Sequence, residues 1–269
     1  MPAGPVSGHW TVGSSPYRVT GDIEVRKSTT LTIDPGVRVE FEGSYSLRVF
    51  GGIHAVGTAA QRIVFTTSPA DLARGDAWAG WRGIRIPNND YQTNVIDHGD
   101  RLYDLRFCEI AYVDKRDGVQ AHPWDDAIGA MYVHGTTNAD LVFDDNWIHH
   151  SRSGGLAYFG AQASVLTGPV YFHRNVIEHI VDSPAIYVAH VYGTAPPGTA
   201  DHNLAVHVVG GAARHFIGPR TSDSVSTVGA TWDTPVYLDN FEITDCGDQA
   251  HWYLAWQPQL GAVIHRTTP

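Results

Sequence analysis

Lysine, cysteine and methionine are nearly absent. The 269 residues contain two lysines, Lys27 and Lys115, two cysteines, Cys108 and Cys246, and two methionines. With so few lysines and a formal net charge of −10, no basic stripe forms, which makes nucleic acid a poor partner. Two cysteines cannot build a disulfide scaffold. In the stacked arrangement argued below they stand three or more repeats apart, beyond the ~7 Å Cα reach of a disulfide. Two free thiols are therefore expected. No run of about 18 apolar residues occurs, which predicts no membrane span. No secretory h-region precedes Gly8, so an extracellular location implies a leader outside this sequence. P-loop, G-x-S-x-G, H-E-x-x-H and dinucleotide fingerprints are all missing. Long 3.6-period apolar patterns are missing too, which argues against helices.

What is present is a repeat. Residues 141–159 and 170–188 read as two copies of one unit, with Phe143 and Phe172 standing 29 residues apart. Each copy has two short runs rich in β-branched and aromatic residues, separated by a polar corner, and such runs read as strands. The first column is Leu105, Phe143, Phe172 and Leu238; the second, five residues later, is Ile110, Ile148, Ile177 and Ile243. A coil missing between Phe172 and Leu238 falls on residues 204–209. One such unit cannot bury its own apolar face, but stacked copies share a continuous core. Cys108, Asn146 and Asn175 form a further column, which predicts an internal ladder of stacked amides.

Near the start, the alternation Leu31/Ile33 and Val37/Val39/Phe41 marks half-buried strands, with Asp34-Pro35-Gly36 as the turn between them. This wording, with the Trp81-Arg-Gly-Ile84 strand entry, resembles right-handed parallel β-helix proteins of the pectate-lyase-like superfamily. The resemblance runs over nearly the whole chain. It implies an all-β, single-stranded right-handed parallel β-helix (a solenoid) of about seven to nine coils, and a secreted or cell-surface setting. It leaves the activity open, since that fold carries lyases, hydrolases, epimerases, tailspikes and adhesins. The chain is expected to be one domain, 1–269, with a lead-in over 1–16 and coils over 17–265. Loops are expected near 88–100, 116–125, 191–203 and 217–234. Trp78 and Trp81 are expected to pack over a coil edge.

The spacing singles out one corner. From Ile148 to Leu156 is 8 residues and from Ile177 to Ile186 is 9, but from Ile110 to Ile128 is 18. About ten extra residues therefore sit at 116–125, and insertions into repeats map to loops on one face, often the binding face. Asp125 and Asp126 lie at its end, Lys115 and Arg116 at its start, and His122 and Trp124 within it. Paired carboxylates on neighbouring coils divide into general acid and base in glycosidases. Asp125-Asp126, followed one coil later by Ser153-Gly-Gly, looks like part of the polygalacturonase pattern. The Gly-His-Gly and Arg-x-Lys of that pattern are absent, and no Asn-x-Asp stands directly before the pair. Lys115 is the base candidate for a β-eliminating lyase, removing the proton α to a uronate carboxylate neutralised by calcium.

The candidate catalytic residues are thus Asp126, Asp125, Lys115 and His122. The substrate-binding candidates are Trp124, Tyr187, Arg116, Arg152 and Asp182, with Gly129, Ala157 and Tyr187 on one outward strand face. Asp145 beside Arg174 is read as an ordinary ion pair. His150 and His179 share a column, but no further ligands complete a metal set, and ordinary ladder histidines are expected. Three functions follow as expectations. The first is a polysaccharide-binding β-helix, lyase-like or hydrolase-like on acidic glycan. The second is a non-catalytic structural or adhesion module of a larger surface protein. The third is a metal-carrying periplasmic β-helix.

Overall fold

The computed structural model describes residues 1–75, 80–86, 102–114, 130–134, 140–152, 155–159, 170–180, 186–190, 198–201, 204–208, 213–217, 238–239, 242–244 and 251–255. These residues are mostly strand, with one short α-helix, Pro69–Leu72, and one 3-10 turn, Val12–Ser14. Ser68 starts the helix by accepting the Asp71 N–H on its hydroxyl, the usual way to satisfy a free N–H of a first turn.

Successive strands visit three sheets in rotation. Each strand pairs with the strand three places before it and three places after it, giving sheets of nine, eight and eight strands among the described residues. Every pairing is parallel; for example Cys108–Ala111 lies between Ile63–Thr67 and Trp147–Ser151, which in turn pairs with Val176–Ile180. Because side chains alternate along a strand, each strand sends every second residue inward. Leu31, Ile33, Val37, Val39 and Phe41 are all buried, as their alternation predicts, and Gly36 at φ 82° supplies the turn between them. The buried side chains of the three sheets meet in one cluster.

The two columns pair in the register that the spacing predicts. Leu105 pairs with Phe143, Phe143 with Phe172, Phe172 with Ala200, and Ala200 with Leu238. Ile110, Ile148, Ile177, Ala205 and Ile243 succeed one another in the same way. Leu204–Val208 is the strand expected in the gap between Ile177 and Ile243. Two expectations need correction. Gly198–Asp201, read as part of a loop at 191–203, is a strand paired with Val170–His173. Gly198 and Ala200 fall in apolar columns but are themselves small residues, so the segment carried no strand pattern. The second correction is at the inserted corner. Leu156 pairs with Met131, not Ile128, and Tyr132 rather than Gly129 is the partner of Ala157. From Ile110 to Met131 is 21 residues, so the insertion is three residues longer than 18 implied.

The passage from the second sheet to the third turns on one residue. Phe107, Asp145 and Arg174 occupy this position in successive units, at φ 49°, 59° and 53°. The residue after each is Cys108, Asn146 or Asn175, and these three form the expected ladder. The Cys108 N–H donates to Asn146 Oδ1 at 2.9 Å, and the Asn146 N–H donates to Asn175 Oδ1 at 3.1 Å. Asn146 Nδ2 donates both to the Leu105 carbonyl at 2.9 Å and to Asn175 Oδ1 at 3.1 Å. Asn175 Nδ2 donates to the Phe143 carbonyl at 3.0 Å. These buried amides saturate backbone groups that the corner takes out of the ladder. Outside, Arg174 and Asp145 make the expected ion pair, two parallel bonds of 2.9 and 2.8 Å. An exposed pair of this kind contributes little, about 1 kcal/mol at most.

Candidate functional site

The feet of the inserted corner are described, although residues 115–129 are not. Both feet are closed to solvent: Asp114 and Ala130 are each 0% exposed. Trp81 ties down the first. Its carbonyl accepts the Asp114 N–H at 3.0 Å, and a single bridge joins it to Val113. Its indole Nε1–H donates to the Ala111 carbonyl at 2.8 Å. The ring stacks on Phe41 with centroids 4.2 Å apart and an interplanar angle of 13°. Trp81 therefore packs, as expected, and its packing serves the insertion. The second foot is fixed by strand ladders, for Ala130 O accepts the Ile84 N–H and Met131 N–H donates to Gly155 O, both at 3.0 Å. Gly83 has to be glycine here: at φ 82° a Cβ would stand 2.1 Å from the Ala130 carbonyl oxygen.

Of the candidates named from the sequence, Lys115, Arg116, His122, Trp124, Asp125, Asp126 and Asp182 lie outside the described residues, as do Trp78, Gly129 and Cys246. Tyr187 lies on Ile186–His190, between Ala157 and Arg214 of the neighbouring strands. Arg152 is half-buried, and its N–H donates to the Val113 carbonyl at 2.9 Å, beside the first foot of the insertion. Cys108 is a free, buried thiol whose pKa burial pushes well up, so it is unsuited to nucleophilic work.

Two outward clusters stand among the described residues. On the second sheet, Asp104 takes two bonds from Arg106, at 2.6 and 2.8 Å, and lies 3.4 Å from His54 Nδ1. The Arg106 pKa is raised, chiefly by that bond from Asp104. In the next unit Asp144 lies 3.1 Å from His173 Nδ1 and 3.7 Å from Arg174. Each carboxylate here is matched by a cation or imidazole, which makes this face a row of charge pairs.

The other cluster, on the third sheet, is aromatic. Tyr112, His150 and His179 sit at corresponding positions of three successive units at φ 59°, 52° and 53°. Tyr112 stacks on His150 with centroids 5.2 Å apart, and His150 stacks on His179 at 4.7 Å and 12°. The shared column of the two histidines was legible in their spacing. Beside them, His149 pairs in register with Glu178. His149 Nε2 lies 3.3 Å from Glu109 Oε1, and its Nδ1 lies 2.7 Å from His150 Nδ1. The bond to His149 holds the Glu109 carboxyl below the ordinary carboxylate range. Trp147 packs on His149 with centroids 4.0 Å apart and donates its indole N–H to Glu178 at 2.8 Å.

One member of this column went unnoticed in the sequence. Glu178 pairs with Val206 and Ile180 with Val208, which puts His207 at the register position of His179. The signal was there: His150, His179 and His207 follow one another at 29 and 28 residues. The donor geometry does not suit a single metal ion. Stacked parallel rings direct their nitrogens alongside one another, whereas tetrahedral zinc needs nitrogens converging at about 2.0–2.1 Å. Among the described residues no group of three His, Cys, Asp or Glu side chains is placed to hold a metal ion, and no helix is long and apolar enough to cross a membrane.

Comparison with known proteins adds one partial likeness. No family model and no solved structure matches the chain. The chain is similar to Protein bark beetle of Drosophila melanogaster, with 48% identity over 50 residues. That stretch is 19% of this chain and 2% of the fly protein, so the chain spans a small fraction of the relative it matches.

Proposed function

We propose that the chain is a right-handed parallel β-helix of seven to nine coils, secreted or displayed on a cell surface, that binds or acts on polysaccharide. The reading of a β-helix is supported by the three-strand rotation in which every strand pairs in parallel with the third one along. The reading of a polysaccharide site rests on one observation: the large insertion at a single corner springs from two fully buried feet, Asp114 and Ala130. Feet held that firmly fix where the inserted residues leave and rejoin the scaffold, and insertions into repeats map to loops on one face, often the binding face. The face beside it carries Tyr132, Ala157 and Tyr187 in register. In this account Trp124 and Tyr187 are sugar platforms, and Arg116, Arg152 and Asp182 hold acidic sugars. Asp126 and Asp125 divide acid and base, or Lys115 removes the α-proton of a uronate, with His122 at the edge. Calcium, where a uronate needs neutralising, enters with the substrate.

The test is a panel of uronate-containing and neutral glycans with and without calcium. Binding or turnover on at least one glycan, lost when 116–125 is deleted, is the expected result. If turnover is seen, Asp126→Asn or Lys115→Ala lowers it at least 100-fold with the melting temperature nearly unchanged, the scale of a lost general acid or base. A chain that retains no glycan in any arm overturns the proposal. A second reading, a non-catalytic structural or adhesion module, is favoured by the likeness to a 2% stretch of a far longer protein. Its signature is glycan or partner binding without turnover.

A further inference from the structure

The histidine column is not used by the polysaccharide reading, and its geometry has a consequence of its own. In the neutral state His149 donates its Nε2–H to Glu109, so its Nδ1 carries only a lone pair. The proton between the two facing Nδ1 atoms therefore belongs to His150. A proton added to His150 goes to its Nε2 and leaves this 2.7 Å bond in place, so what opposes it is the ring on its other face. On its other side, His150 lies flat against His179 at 4.7 Å, where two imidazolium rings would repel. The backbone adds to the case, because Tyr112, His150 and His179 all hold positive φ. Such conformations persist in non-glycine residues only while their surroundings hold them.

We infer that the Tyr112–His150–His179 stack is a proton-sensitive latch: neutral rings close this corner of the third sheet, and protonation in mildly acidic surroundings releases it. The ionisable groups facing His150 are His149 on its own strand, Tyr112 from the preceding unit, and Glu178 and His179 from the following one. Glu109 is engaged by His149, while Glu178, which accepts the Trp147 indole N–H and lies 4.0 Å from His179 Nδ1, offsets the charge of a protonated His150 only in part.

Burial, and then the neighbouring His149 and His179, hold the His150 pKa below the ordinary histidine value. The sign follows. The unfolded chain takes this proton at about pH 6.5, a higher pH than the folded chain does. The stabilisation is therefore fully present above about pH 6.5 and is lost as pH falls through the folded value. Glu109, held below its ordinary range, loses its contribution only at lower pH.

The first experiment compares melting temperatures at pH 7.5 and 5.5 for the full chain and for His150→Asn/His179→Asn. Asparagine tolerates positive φ but takes no proton. The natural chain is expected to lose several degrees more on acidification than the variant; equal losses overturn the inference. The second experiment needs no variant. Amide exchange of the natural chain at both pH values, corrected for intrinsic rates, should lose protection at Tyr112, Ser151, Arg152 and Ile180 first. Protection that falls uniformly, or not at all, overturns it.

Discussion

Trp81→Ala is expected to cost about 3–5 kcal/mol, the range for truncating a large buried aromatic. Its side chain is wholly enclosed, stacked on Phe41 and hydrogen-bonded to Ala111, so little of the void can be filled by a small shift. In urea the midpoint should fall with the slope of the transition unchanged, since the area exposed on unfolding is nearly the same. Trp81→Phe keeps a ring against Phe41 and loses the bond to Ala111, so it should cost distinctly less. The alanine variant should also loosen the inserted corner, because it loses the indole bond to Ala111 and the stacking on Phe41 that hold the strand carrying the Asp114 contact. A change under about 1 kcal/mol would mean that the tryptophan is not the anchor described above.

Asn146→Ala is expected to cost on the order of 3 kcal/mol. It removes the acceptor for the Cys108 N–H and the donor for the Leu105 carbonyl, both buried, and each orphaned group costs about 1–3 kcal/mol. Asn146→Asp separates hydrogen bonding from volume. It keeps the acceptor for Cys108 but turns an oxygen toward Leu105 O and Asn175 Oδ1, which are themselves acceptors. Burial and these oxygens raise its folded pKa. Stability is then present below the unfolded aspartate value of about 3.9 and lost as pH rises through the folded value. Denaturation curves at pH 4 and 7 should therefore differ more for Asn146→Asp than for Asn146→Ala. Identical curves would contradict the ladder.

The difference between what could and could not be read from the sequence has a physical cause. Ile110, Ile148 and Ile177 are legible because each must fill the same slot above its neighbour, and slots of one size select residues of one type. The Asn column is legible for the same reason, since only a short side chain with a donor and an acceptor can relay a bond from turn to turn. Gly198–Asp201 was not legible. Parallel pairing is a backbone property, and a strand that places only Gly198 and Ala200 in apolar columns shows no apolar alternation. The three-residue error at the insertion has a similar origin. Ala127-Ile128 looks as strand-like as Met131-Tyr132, and what selects Met131 is the contact of Ala130 with Gly83 and Ile84. Nothing local in the sequence displays that contact. At the candidate site the spacing revealed the insertion and its acidic pair, while the anchoring by Trp81 became visible only through its bonds to Ala111 and Asp114. His207 could have been found by extending the His150–His179 spacing once more.

The inserted corner, the amide ladder and the latch all require successive units to lie directly on one another in the stated register. Nuclear Overhauser contacts among isoleucine methyl groups, assigned by single Ile→Val variants in methyl-labelled protein, test this most directly. Neighbouring strands lie about 4.8 Å apart, so second neighbours are separated by about 10 Å. The register predicts strong cross-peaks from Ile148 to Ile110 and to Ile177, and a far weaker one between Ile110 and Ile177. An Ile148 methyl that reaches only one of the two, or an Ile110–Ile177 contact as strong as either, would contradict the stacking on which the site and the latch both depend.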